Sequence, residues 1–322
     1  MRKFATALWF TGLLVLSPIL ATALTIEPLK LETAEGARTG LIARPSQVHA
    51  GRPLVILLHG HGGSAEQVFG KTAAASPMSV WLDLAERAKL FVVALDGSRQ
   101  GDGQRGWNDC RGDAPGNPQT DDVGFVRAVI EKMKRNDSID SSRIYIMGMS
   151  NGGMMAFRLA IELDPPIAAF AAVCAGMADH GTCPQPARPV SALLIDGTAD
   201  PLVPYEGGQV HFFNKPRGSV IGIERAAEIW RKVDGLGAEA DSTDLPQHGA
   251  RGETHARRWV WGTPEDGRQV ELISIENGGH VEPSIAQKVR PVYELIVGKQ
   301  NHDFECAEEA WRFFQDKHSG PR

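Results

Sequence analysis

One serine stands between two glycines in Gly148-Met149-Ser150-Asn151-Gly152, each glycine two positions away from it. That G-x-S-x-G spacing makes a nucleophile elbow when a strand leads in and a helix leads out. The small residues let neighbouring backbone pass close, and the turn lifts the hydroxyl clear of the sheet. Both flanks fit. Ile144, Tyr145 and Ile146 form a short apolar run, and Met154, Met155, Phe157, Leu159 and Ile161 carry a helical period. A serine hydroxyl is a weak nucleophile until a base takes its proton. The base must be oriented, usually by a carboxylate, and the charge that develops on the attacked carbonyl oxygen needs donors.

Candidates for each role lie along the chain. The segment ALLIDGTADPLVPYEGG runs off an apolar strand into a turn that carries Asp200, with Asp196 closer to the strand as a rival. In ELISIENGGHVEPS, His280 follows a strand and two glycines, so its ring can reach inward from a loop. Among ten histidines it alone has both the position after serine and acid and the loop setting. LLHGHGGS, Leu57 to Ser64, ends another apolar strand, and its glycines let backbone N–H groups approach a substrate. The oxyanion donors are therefore assigned to the backbone N–H groups of His61 and Asn151. Asn151 also opens a helix, whose dipole favours developing negative charge. His59 and His61 form an H-x-H pair, but a hydrolytic zinc site needs a third protein ligand and no further paired histidines follow. No metal and no cofactor is expected, and His59 is assigned to bracing its loop.

These groups need a scaffold. PLVILLHG, FVVALDG, the run before Ser150, IAAFAAVCA and PVSALLIDG are continuous apolar runs of the kind that form doubly covered strands. Amphipathic segments alternate with them: VWLDLAERAKL, TDDVGFVRAVIEKMKRN, SVIGIERAAEIWRKVDG and the closing CAEEAWRFFQDK. Alternation of this type implies an α/β protein with a mainly parallel sheet and helices on both faces. One domain over residues 24–322 is the simplest account, with Gly101–Pro118 as a polar functional loop. The chain has 322 residues, of which 23% are charged and 42% hydrophobic, and a net charge of -5, so it carries no basic footprint for nucleic acid.

The first 23 residues differ from the rest. Arg2 and Lys3 precede an apolar stretch from Phe4 to Leu20, and Ala21-Thr22-Ala23 offers a small-x-small cleavage site, the pattern of a secretory signal peptide. Cleavage near Ala23 would deliver a secreted or periplasmic protein with no stable membrane association. Export makes the even set Cys110, Cys174, Cys183 and Cys306 read as two disulfides, with three pairings open.

Together, LLHGHGGS, GWNDC, DDVGFVRAVIEKM, SSRIYIMGMSNGGMMAFRLA, DGTADPLVPYEGG, NGGH and NHDFECAEEAWRFF resemble, in that order, the polyhydroxybutyrate depolymerase and feruloyl-esterase-like group of α/β-hydrolases. The resemblance runs from Pro53 to Phe314. It implies an α/β-hydrolase fold and a secreted carboxylic ester hydrolase with a Ser150–His280–Asp200 triad, no cofactor, and a small-molecule or polymeric ester as substrate. Trp107 in GWND is the candidate substrate contact. Two departures bear on the substrate. Asp196 stands where the family often has histidine, and HVEPS replaces H-T-W-P-G, putting Glu282 at the place of an aromatic wall. The rival readings are a serine peptidase of the same fold, which would need a restricting domain that this length does not hold, and a non-catalytic binding protein on a hydrolase scaffold.

Overall fold

The run Leu54–Leu58 is buried at all of its positions, and its side chains alternate between two cores. Leu54, Ile56 and Leu58 enter one, while Val55 and Leu57 enter the other. A strand with apolar side chains on both faces must be covered on both faces, and that requirement organises the molecule. The computed structural model describes residues 23–47, 50–99, 101–212, 215–248, 253–263 and 267–320. The proposed leader, apart from Ala23, lies outside the described residues.

The strands, in chain order, are β1 (Thr25–Thr33), β2 (Gly36–Arg44), β3 (Leu54–Leu58), β4 (Phe91–Leu95), β5 (Ser98–Arg99), β6 (Arg105–Gly106), β7 (Ile144–Met149), β8 (Ala169–Val173), β9 (Ser191–Gly197), β10 (Gly207–Phe212), β11 (Lys215–Ile221), β12 (Asp241–Asp244), β13 (His255–Trp261) and β14 (Val270–Glu276). The helices are α1 (Ala65–Val68), α2 (Trp81–Ala88), α3 (Asp122–Asp137), α4 (Asn151–Glu162), α5 (Ile223–Val233), α6 (Pro291–Val297) and α7 (Cys306–Phe314). Ten strands form one sheet in the order β1-β2-β4-β3-β7-β8-β9-β14-β13-β12. Its six central strands, β4 to β14, pair in parallel, and antiparallel pairs finish both edges. Residues of α3, α4 and α5 fill one face, and those of α1, α2 and α7 the other. This is the α/β-hydrolase arrangement, and it brings the ends of β3, β7, β9 and β14 to one side of the sheet.

Local sequence explains the main elements. Asp121 caps α3 by accepting from the Gly124 N–H at 2.8 Å, and Lys134 and Arg135 lie in its last turn, where positive charge favours the dipole. Among the described residues, no helix is long and apolar enough to cross a membrane.

Two expectations are corrected. Only one disulfide forms, Cys110–Cys183, closing a separation of 73 residues. Cys174, at the end of β8, and Cys306, opening α7, are instead buried free thiols, and burial pushes both up. They serve as small apolar fillers of the core beneath the sheet. The segment expected to be helical from Ser219 begins instead as β11, which pairs with β10 in a separate hairpin, and the helix starts at Ile223.

Candidate active site

The turn after β7 holds Ser150 at φ 55° and ψ −124°, a left-handed conformation that costs a non-glycine residue strain. Its neighbours leave no choice of residue. A Cβ on Gly148 would lie 2.1 Å from the Gly152 carbonyl oxygen, and one on Gly152 would lie 2.2 Å from that of Leu58. The Ser150 N–H donates to the Val173 carbonyl at 2.8 Å, anchoring the turn to β8.

β9 delivers the acid. Asp200 Oδ1 accepts from the Leu202 and Val203 N–H groups at 2.7 and 2.8 Å, which fixes the carboxylate in its turn. β14 delivers the imidazole through Asn277, Gly278 and Gly279. Here the second glycine is forced, since a Cβ would sit 2.2 Å from the Val297 carbonyl oxygen. His280 Nδ1 lies 2.7 Å from Asp200 Oδ2, and its Nε2 lies 2.9 Å from Ser150 Oγ. A carboxylate can only accept, so Nδ1 carries the hydrogen and Nε2 is left to accept from the serine hydroxyl. Asp196, the rival acid, does not reach the imidazole. Its Oδ1 accepts from the Ala175 N–H at 2.8 Å, its Oδ2 is buried without a partner, and burial beside Asp200 pushes its carboxyl well up.

Both assigned oxyanion donors border the same cavity, of about 710 Å³, onto which Ser150 and His280 open. Their supports are extensive. The Asn151 side chain accepts from the Trp107 N–H at 2.8 Å and donates to Asp109, which in turn pairs with Arg111 at 2.6 Å in a buried ion pair. The His61 ring lies between Asp102, 3.2 Å from Nε2, and Arg217, 3.4 Å from Nδ1, while Arg217 itself pairs with Asp102 at 2.6 Å. His59 accepts the Gly97 N–H at Nε2 (2.9 Å) and contacts the Gly60 carbonyl at Nδ1 (2.6 Å). Burial lowers its pKa to about 4. With both ring nitrogens of His59 and His61 engaged, neither offers a lone pair for the H-x-H zinc reading.

Trp107 is not a substrate contact. It is fully buried, lines no part of the cavity, and donates from Nε1 to the His59 carbonyl at 2.9 Å. Its indole ties the His59 loop to the loop of residues 101–118. Sequence reasoning also missed Asp102 and Arg217, which pair across 115 residues, and Asp109 and Arg111, which pair locally but also reach Asn151 and the Arg217 carbonyl. The one local signal was the D-C-R run around Cys110, a charged pair flanking a cysteine.

The profile of the family described as Phospholipase/Carboxylesterase matches residues 41–212, more than half of the chain and the part that carries Ser150 and Asp200. The chain belongs to that family. It is an ester hydrolase by that membership and by its named relatives. NocK of Nocardia uniformis subsp. tsuyamanensis, a candidate esterase, is 30% identical over 82% of this esterase and 74% of its own length. Feruloyl esterase B of Piromyces equi is 30% identical over 71% of this chain, and the bifunctional acetylxylan esterase/xylanase XynS20E of Neocallimastix patriciarum 28% identical over 84%. The esterase spans only 40% and 35% of those two proteins. In fold it is similar to the acetyl xylan esterase from Aspergillus awamori, with a TM-score of 0.57 at 13% identity, over 90% of this chain and 99% of that one.

Proposed function

We propose that the esterase is an exported serine carboxylic ester hydrolase that works through an acyl-enzyme. Ser150 Oγ attacks the ester carbonyl while His280 Nε2 takes its proton, and Asp200 holds the imidazole in the required tautomer. The N–H groups of His61 and Asn151 receive the oxyanion. His280 then returns the proton to the departing alcohol, and water, activated by the same imidazole, releases the acid. The observation that carries this reading is the unbroken Asp200–His280–Ser150 relay, 2.7 and 2.9 Å, opening on a cavity. Acetyl and feruloyl esters fit the relatives' names, and short hydroxyalkanoate esters fit the motif resemblance. Export is supported by the apolar stretch from Phe4 to Leu20 and by the Cys110–Cys183 bridge, which an oxidising compartment would preserve.

A fluorophosphonate probe should label Ser150, and p-nitrophenyl acetate should be hydrolysed. Ser150→Ala should lose activity by about 10⁴-fold or more while keeping its melting temperature. Full activity in that variant, or a probe attached elsewhere, would overturn the mechanism.

A further inference from the structure

Glu282 is the only carboxylate among the described residues that line the cavity. It lies two positions beyond His280, is half-buried, and borders the cavity together with Val281, Val289, Val292, Tyr293 and Ile296. Among the described residues, no lysine or arginine acts on it. His280 lies nearby, and burial pushes the Glu282 carboxyl up. The cations on the opposite side are already committed. Arg111 gives Nε and Nη2 to Asp109 and Nη1 to the Arg217 carbonyl, and Arg217 pairs with Asp102. Arg290, at the rim, is exposed and does not act on Glu282. A half-buried anion without a counter-charge is costly alone, and a ligand that brings the missing charge recovers the loss. The Tyr293 ring, on which Glu282 acts electrostatically, adds a face that attracts cations.

We propose, resting on the serine esterase reading, that Glu282 and Tyr293 form a subsite for a cationic nitrogen, so that the esterase favours esters carrying an ammonium group on one arm. The position that an aromatic wall would occupy in the resembled family is here an acceptor of positive charge.

The test compares esters of matched shape that differ only in charge. Acetylcholine is set against 3,3-dimethylbutyl acetate, which places the charge on the alcohol arm. The p-nitrophenyl ester of 4-(trimethylammonio)butyrate is set against that of 5,5-dimethylhexanoate, which places it on the acyl arm. In the wild type, kcat/KM should favour the charged member of at least one pair by about tenfold. In Glu282→Gln that ratio should fall toward one, and because each ratio is taken within a single protein, any general loss of activity cancels. Neutral esters turned over with no preference for charge in either pair, or a preference unchanged in Glu282→Gln, would overturn the subsite and leave the triad standing. Absence of turnover with every ester, p-nitrophenyl acetate included, would overturn the serine esterase reading and the subsite with it.

Discussion

On the side of the assigned oxyanion donors, the polar side chains are bound to distant segments: Arg111 to the Arg217 carbonyl, Arg217 to Asp102, and Asn151 to Trp107 and Asp109, with Cys110 of the Cys110–Cys183 bridge between Asp109 and Arg111 in the chain. On the facing side, α6 turns large apolar residues outward, Val292 at 65% exposure and Leu295 at 86%. That side is held by nearer neighbours in the chain, as where Gln300 Nε2 donates to the Glu282 and Gln287 carbonyls and Glu305 accepts from the Ile285 N–H. The contrast separates two demands. Donors that receive charge in a transition state must be held before the reaction begins, so cross-links gather around them. A face that turns apolar side chains to solvent needs no such fixing, and those outward side chains contribute little to the fold.

The comparison can be broken most sharply at the elbow. Gly152→Ala drives a Cβ into the Leu58 and His59 carbonyl oxygens, 2.2 and 2.6 Å away, and should cost at least about 4 kcal/mol in chemical denaturation or prevent folding. Cys110→Ser, which opens a closure of 73 residues, should cost about 2–4 kcal/mol, and reductant should reproduce the loss in the wild type but not in the variant.

His59 sharpens the same side through pH. Folding lowers its pKa from 6.5 to about 4, so the unfolded chain binds more protons between those values and stability falls as pH drops through that window. Asn at this position cannot titrate. The stability gap between the wild type and His59→Asn should therefore narrow by up to about 3 kcal/mol between about pH 7 and about pH 4. Asp234, whose carboxyl burial pushes up to about 7, acts in the opposite sense but is common to both proteins and cancels. The smallest effect belongs to the exposed face of α6. Leu295→Ser should change stability by no more than about 0.5 kcal/mol, and a larger loss would mean that α6 is packed rather than presented.

The central strands were legible because β3, β4 and β8 are apolar throughout and β9 carries an apolar centre at Ala192, Leu193, Leu194 and Ile195, and a run of that kind has few alternatives to a doubly covered strand. Ser150 was legible through its glycines, which answer to backbone only 2.1 and 2.2 Å from their missing Cβ atoms. The choice of Asp200 over Asp196 came from its place in the loop beyond the strand, and nothing local revealed that Asp196 would turn to the Ala175 N–H. The β10–β11 hairpin was hidden because Val220 and Ile221 continue the apolar period of the helix behind them, although Gly218, at φ 82°, and Gly222 interrupt it. Cys174 and Cys306 were misjudged because their number suggested pairing, whereas burial alone accounts for them. Trp107 looked like a ligand contact because tryptophans suit both tasks, and its partner, the His59 carbonyl, is 48 residues away.

The position of β14 has a consequence for biosynthesis. It is the last strand among the described residues, yet it lies between β9 and β13. Until it is synthesised, β9 has an open edge of unpaired backbone, and β12 and β13 have no strand to join them to the sheet. Open edges of apolar strands invite pairing with other chains. A polypeptide stalled before Val270 would thus lack His280 and expose an adhesive margin at the same time.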